Sequence, residues 1–124
     1  MIYVIGTGPG AISSMTDEAK SAIENADIIV GYKTYLDQIS QLLENKEVIS
    51  SNMMQEVERC EKTFQLAAQG KSVAIISGGD AGIYAMAGLV LEMASQKENP
   101  PEIKIIPGIA AINGCAARLG APLM

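Results

Sequence analysis

Residues 72–88 read S-V-A-I-I-S-G-G-D-A-G-I-Y-A-M-A-G, and this stretch decides how the rest of the chain is arranged. The apolar run from Val73 to Ile76 is typical of a strand that is buried on both faces of a sheet. It stops at glycines and an aspartate, and helical spacing resumes at Ile83. A strand, a Gly-Gly-Asp turn and a helix predict a loop at the carboxyl edge of a parallel sheet. The loop faces a ligand, or it is a tight turn in which Asp80 caps the helix.

Other apolar runs predict four further strands, at residues 2–5, 27–30, 48–49 and 103–106. Helical patterns follow each of them, and the first helix is expected to begin near Ser14 or Thr16. Strands that alternate with helices at short spacing need crossover connections. The fold class is therefore α/β, with a five-stranded, mainly parallel sheet flanked by helices. Apolar side chains recur at helical spacing in residues 35–43, which predicts a helix packed on the core.

Composition narrows the classes of partner. The chain has 124 residues, of which 48% are hydrophobic, enough for one domain with a core. Its formal charge of −5 gives no long-range attraction to nucleic acid or to an anionic membrane, so neither is expected as a partner. No apolar run approaches the length of a membrane span, and Met1 leads directly into the first strand. We expect a cytoplasmic protein.

Histidine is absent from the chain, and its two cysteines, Cys60 and Cys115, are isolated. These facts exclude the usual zinc site, a Cys-His or Ser-His nucleophile pair and an axial histidine for haem within the chain. No metal site is predicted. Both cysteines are expected to be small buried hydrophobic residues in a reducing compartment.

The first loop, residues 6–11, reads G-T-G-P-G-A and satisfies the spacing G-x-G-x-x-A. A dinucleotide site also needs a helix that opens at once and an acidic residue after the second strand. Here residues 9–13 intervene before the helix, and Gly31-Tyr32-Lys33 follow the second strand. A dinucleotide-binding oxidoreductase domain thus remains one alternative. A non-catalytic flavodoxin-like binding module is another.

Three loops are expected at one edge of the sheet: residues 6–10, residues 77–82, and Pro107-Gly108 with the residues that follow. Together they resemble the tetrapyrrole methylase family, S-adenosylmethionine-dependent enzymes that methylate ring carbons in corrin and siroheme synthesis. The runs that look most like the branch acting on C17 of precorrin-3B are G-Y-K-T-Y-L from Gly31, M-x-Q-E-V-E-R from Met53, and G-D-A-G-I-Y-A-M-A-G from Gly79.

The resemblance implies that residues 1–124 form the amino-terminal domain of the tetrapyrrole methylase fold, and that a carboxy-terminal α/β domain is absent from this chain. It implies S-adenosylmethionine-dependent C-methylation of precorrin-3B or its cobalt form at C17, with ring contraction, in cobalamin biosynthesis. The chain alone is expected to be inactive, and the full-length protein to be a homodimer with a tetrapyrrole substrate.

The resemblance also assigns roles to individual residues. Those expected to contact S-adenosylmethionine are Pro9, Gly78, Gly79, Asp80, Ile83, Ala110 and Ala111. Asp80 is the candidate catalytic carboxylate, either orienting the cofactor or assisting proton movement. The residues expected to face the tetrapyrrole are Lys33, Met53, Gln55 and Arg59. For Lys33 and Arg59, solvated helix charges are the alternative interpretation.

Overall fold

A single five-stranded sheet organises the computed structural model, which describes residues 1–82 and 86–120. Its strands are β1 (Ile2–Gly6), β2 (Ile28–Tyr32), β3 (Glu47–Ser51), β4 (Val73–Ser77) and β5 (Ile103–Ile106). They lie in the order β3-β2-β4-β1-β5, and every neighbouring pair is parallel. The prediction of a five-stranded, mainly parallel sheet is confirmed.

Strand β4 occupies the centre of the sheet, and its residues alternate between two cores. Val73 and Ile75 pack in one core, whereas Ala74 and Ile76 pack in the other. All five residues of β4 are buried. This explains the unbroken apolar run in the sequence, because a strand covered on both faces has no position left for a solvated side chain.

In the described part of the chain, five α-helices flank the sheet: α1 (Asp17–Asn25), α2 (Lys33–Gln38), α3 (Glu56–Ala68), α4 (Met86–Ser95) and α5 (Ala111–Leu119). Side chains of α1 and α2 complete one core, and those of α3 and α4 complete the other. In the part of the chain that the structure describes, no helix combines the length and apolar character needed to cross a membrane.

The ends of two helices follow their sequence signals. Thr16 caps α1, since its hydroxyl oxygen accepts a hydrogen bond from the N–H of Ala19 at 3.0 Å. This confirms the predicted start. Helix α3 ends at Ala68, and Gly70 follows with φ of +86°, a left-handed conformation that glycine adopts without steric cost.

Helix α2 is shorter than the apolar pattern in residues 35–43 suggests. The backbone leaves the helix at Ile39, whose N–H bonds to the carbonyl of Leu36, and a separate 3-10 turn covers Ser40–Leu42. Leu36 and Ile39 are buried, which confirms them as core. Tyr35 is only half-buried and lies beside the loop that follows β4. Leu36 and Ile39 therefore reach the core although the helix that carries Leu36 ends before Ile39.

The two cysteines differ in environment. Cys60 is buried, as expected, and burial raises the pKa of its thiol from 9.0 to about 11 because the thiolate is poorly solvated there. The expectation for Cys115 is wrong, since this residue is exposed. Its helix, α5, contains no buried residue and exposes 80% of Leu119. Helical apolar spacing in α5 therefore does not mark a core-facing side.

We predict that Gly6→Ala lowers the free energy of unfolding by about 2–3 kcal/mol, because a Cβ there would lie within 2.8 Å of backbone atoms of Gly79, Ala81 and Gly108. Gly88→Ala is the matched control. Gly88 lies in α4 with open space around it, so alanine should raise stability by about 0.5–1 kcal/mol. Urea unfolding measures both, and an unchanged midpoint for Gly6→Ala would contradict the packing described.

We also predict that iodoacetamide at neutral pH modifies Cys115 in the folded protein and spares Cys60, which reacts only in denaturant. Mass spectrometry reads the site of labelling, and Cys115→Ser provides the control. The raised pKa of the Cys60 thiol also makes the free energy of unfolding depend on pH. The folded state holds the Cys60 proton more tightly than the unfolded chain, so stability should fall as pH rises from 9.0 through about 11. Rapid labelling of Cys60 without denaturant would refute its burial.

Candidate functional site

Two loops are joined by backbone hydrogen bonds where β1 and β4 end. The N–H of Gly8 donates to the carbonyl of Gly79 at 3.0 Å, and the N–H of Gly79 donates back to the carbonyl of Gly8 at 2.9 Å. Next to this bridge, the N–H and the hydroxyl of Thr7 both donate to the carbonyl of Ser77. The central loop therefore has a defined backbone, as a ligand loop requires.

Asp80 connects the central loop to the loop that follows β5. One carboxylate oxygen, Oδ1, accepts a hydrogen bond from the N–H of Gly108 at 3.1 Å, and Oδ2 accepts one from the N–H of Gly82 at 2.9 Å. Both donors are loop amides outside α4. The carboxylate thus ties two loops together, a structural role that the spacing of the sequence did not indicate.

A cavity of about 570 Å³ lies between these loops and α2. Its lining residues are Gly8, Pro9, Tyr35, Gln38, Gly78, Gly79, Asp80, Ala110, Ala111 and Ile112. We call it the loop cavity. The residues predicted to contact a cofactor are all among them except Ile83, which lies outside the described residues. The structure therefore brings together residues from three separate loops, while their role in binding stays a prediction.

A smaller cavity of about 310 Å³ lies on the other side of Gly78. Its lining residues are Tyr32, Tyr35, Met53, Glu56, Arg59, Ile76, Ser77, Gly78, Met86 and Leu89. We call it the arginine cavity. Of the four residues predicted to face a tetrapyrrole, Met53 and Arg59 line it. Lys33 is exposed, and the side-chain oxygen of Gln55 accepts a hydrogen bond from the N–H of Asn52 at 2.8 Å.

Arg59 is buried, with 6% of its surface exposed, so the interpretation of it as a solvated helix charge is wrong. Its Nε donates to Ser51 Oγ at 2.7 Å, and one terminal nitrogen donates to the carbonyl of Asn52 at 3.3 Å. The other terminal nitrogen lies 3.6 Å from the sulfur of Met86. Within residues 1–82 and 86–120, the one salt bridge joins Lys104 and Glu18. In these ranges the Arg59 guanidinium therefore forms no salt bridge with a carboxylate.

Tyr35 and Gln38 are site residues that sequence reasoning missed, because Tyr35 fits the apolar stripe of α2. They are three positions apart, so they share one face of the helix. The sequence signal that could have indicated them is the hydroxyl of Tyr35 within an apolar stripe, followed one turn later by the amide of Gln38. Ile112 also lines the loop cavity without having been singled out, and Gly8, noted only for the dinucleotide spacing, lines it as well.

The walls of the loop cavity are mainly backbone and small side chains, so they can bind and orient a ligand but offer no obvious nucleophile. Across the described ranges, no cluster of three or more His, Cys, Asp or Glu side chains is placed to hold a metal ion. This arrangement is suited to reactions that depend on positioning two ligands.

We predict that Asp80→Ala lowers the free energy of unfolding by about 1.5–3 kcal/mol, because it removes a charged acceptor from two loop amides. Hydrogen exchange should accelerate at the N–H groups of Gly82 and Gly108 in particular. Asp37→Ala makes the same charge change on the exposed side of α2 and serves as the control. Equal exchange rates at Gly108 in the wild-type and Asp80→Ala proteins would show that the carboxylate does not tie the loops.

Comparison with known proteins identifies relatives over the whole chain. The family model described as Tetrapyrrole (Corrin/Porphyrin) Methylases matches residues 1–124. A probable cobalt-factor III C(17)-methyltransferase of Salmonella typhimurium is 49% identical and covers 100% of this chain and 52% of the relative. A precorrin-3B C(17)-methyltransferase of Sinorhizobium sp is 38% identical, with coverage of 98% and 49%.

The same likeness holds in three dimensions. The crystal structure of the methyltransferase CobJ matches with a TM-score of 0.89 and 35% sequence identity, and the match covers 98% of this chain and 52% of that one. The chain thus spans about half the length of each of these relatives. On the evidence of the family model, the sequence identity and the shared sheet, the chain belongs to the tetrapyrrole (corrin/porphyrin) methylases.

Proposed function

We propose that the chain is the cofactor-binding amino-terminal domain of an S-adenosylmethionine-dependent methyltransferase. Its reaction is C17 methylation of precorrin-3B or its cobalt form, with ring contraction, in cobalamin biosynthesis. The observation that carries the proposal is the loop cavity, which three loops form in a chain 49% identical to a probable cobalt-factor III C(17)-methyltransferase. A second α/β domain beyond residues 1–124 completes the site, and the full-length enzyme is a cytoplasmic homodimer.

The loop cavity fits a nucleoside ligand that is held mainly by backbone groups. A Cβ on Gly79 would lie 3.3 Å from the backbone nitrogen of Ala111, so glycine keeps the cavity open at its narrow end. The first turn of α5 borders the same space, and its N–H groups lack intrahelical partners. Small residues in the loops therefore leave backbone donors and acceptors accessible to the ligand.

When bound, S-adenosylmethionine supplies a methyl group on a sulfonium, which an electron-rich ring carbon can take by displacement. The chain contributes position rather than a covalent group. Gly78 lines both the loop cavity and the arginine cavity and contributes no side chain, so it leaves room for the two ligands to approach each other there. Asp80 holds the loops in place through the amides of Gly82 and Gly108. Such a reaction runs on proximity, orientation and exclusion of water.

The arginine cavity supports an acidic tetrapyrrole as the second ligand. A buried guanidinium without a carboxylate partner is costly to desolvate, and an anionic group from a ligand offsets that cost. Arg59 therefore contacts a carboxylate of the substrate, with Met53 on the adjoining wall. Lys33 and Gln55 lie outside this cavity and contact the outer part of the macrocycle.

Neither alternative from the sequence gains support. The dinucleotide interpretation rests on Gly6, Gly8 and Ala11, but Gly8 is engaged in the bridge to Gly79 rather than at the start of a helix. The relatives named above are methyltransferases, which also argues against a non-catalytic module.

We predict that S-adenosylhomocysteine binds this chain, and binds more tightly a version extended by the carboxyl-terminal half of the Salmonella relative. Ala111→Leu should weaken binding at least tenfold in both, because the larger side chain fills the cavity; about 1.4 kcal/mol corresponds to that factor. Ala117→Leu is the matched control, since Ala117 is exposed on the same helix and lines neither cavity. Calorimetric titration measures both variants.

The same titration distinguishes the methyltransferase assignment from the dinucleotide interpretation. If neither protein binds S-adenosylhomocysteine while one binds NAD, the methyltransferase assignment fails and the dinucleotide interpretation replaces it. If Ala111→Leu and Ala117→Leu weaken binding equally, the ligand occupies another site. The extended protein should also transfer methyl groups, whereas this chain alone should not.

A further inference from the structure

Among residues 1–82 and 86–120, Tyr35 and Gly78 are the two that line both the loop cavity and the arginine cavity. Gly78 contributes no side chain, so the ring of Tyr35 is the only side chain on the shared wall that the structure describes. A ligand in one cavity and a ligand in the other meet at this ring. The position makes Tyr35 a candidate for contact with the group that passes between them.

The ring is held in one orientation by its neighbours. A Cβ on Gly78 would lie 2.6 Å from Cε1 of Tyr35, so the ring occupies the space that any side chain at position 78 would need. Tyr32 packs edge-to-face against it, with ring centroids 5.4 Å apart and planes at 88°. A ring confined on two sides presents its remaining surface to the cavities in a reproducible way.

The charge distribution suits a cation at this ring. Asp80 is the only acidic side chain among the described residues that line the loop cavity, no Lys or Arg side chain is among them, and both oxygens of Asp80 accept hydrogen bonds from loop amides. Aromatic faces attract cations, and desolvated sites strengthen that attraction. A sulfonium is a cation, whereas the thioether left after methyl transfer is neutral.

We propose that the aromatic ring of Tyr35 recognises the sulfonium of the methyl donor and positions its methyl group beside Gly78, where the two cavities adjoin. The proposal rests on the proposed function, because it takes the loop cavity to be the cofactor site. It adds a residue that distinguishes the charged donor from its neutral product. The ring, rather than the phenolic hydroxyl, carries this discrimination.

The test measures affinity for S-adenosylmethionine and S-adenosylhomocysteine by calorimetry, on this chain and on the extended protein. We take the ratio of the affinity for S-adenosylmethionine to the affinity for S-adenosylhomocysteine. Tyr35→Leu should lower this ratio about 2- to 30-fold, the range expected when a cation loses its contact with an aromatic face. Tyr35→Phe should keep the ratio within about twofold, because the ring remains. Tyr3→Leu removes a tyrosine that lines neither cavity and should leave the ratio unchanged.

A second set of variants tests the proposal even if Tyr35→Leu fails to fold. Fluorinated phenylalanine incorporated at position 35 keeps the ring's shape while withdrawing electron density from its face. Affinity for S-adenosylmethionine should fall stepwise with the number of fluorine atoms, and affinity for S-adenosylhomocysteine should not.

The outcomes are distinct. Equal losses for both ligands in Tyr35→Leu, or no trend with fluorination, would mean that the ring only fills space, and would overturn the proposal while leaving the cofactor site intact. A loss in Tyr35→Phe as large as in Tyr35→Leu would assign the effect to the hydroxyl and also overturn it. Failure of the unsubstituted proteins to bind either ligand would instead reject the proposed function itself.

Discussion

The close approach of three loop backbones at the carboxyl edge of the sheet is the constraint on which the site depends. Gly6 lies where β1 ends, and its missing side chain leaves room for backbone atoms of Gly79, Ala81 and Gly108. Parallel pairing of β4 and β5 with β1 brings their loops to the same edge, but only glycine permits this separation. The Gly8–Gly79 bridge and the two hydrogen bonds of Asp80 then hold the loops in register.

The central strand produces two cavities instead of one. Strand β4 has neighbours on both sides, so the loop that follows it separates the space near β1 and β5 from the space near β2 and β3. The boundary consists of the backbone of Gly78 and the ring of Tyr35. The methyl transfer that we propose requires the reacting atoms of the two ligands to meet directly beside this boundary rather than across it.

The two cavities differ in how they use charge. The loop cavity offers backbone groups and one carboxylate that is already hydrogen-bonded, so the selectivity that we propose for it depends on shape and on the aromatic ring of Tyr35. In the arginine cavity, Arg59 is buried among a hydroxyl, a carbonyl and a thioether. A buried cation held in this way has no carboxylate to offset its desolvation, and the function that we propose supplies an anionic ligand at this place.

The sequence by itself determined the parallel sheet, the start of α1 and the end of α3, because apolar periodicity, caps and glycines act over a few residues. It also indicated, by family resemblance, the loop residues that the fold later brought together, such as Pro9, Gly79 and Ala110. Only the tertiary structure decided that Arg59 is buried, that Cys115 is exposed and that Tyr35 lies between two cavities. Helical spacing is the same for a side chain that faces the core, a cavity or solvent. The packing of segments distant in sequence determines which of these three environments the side chain has.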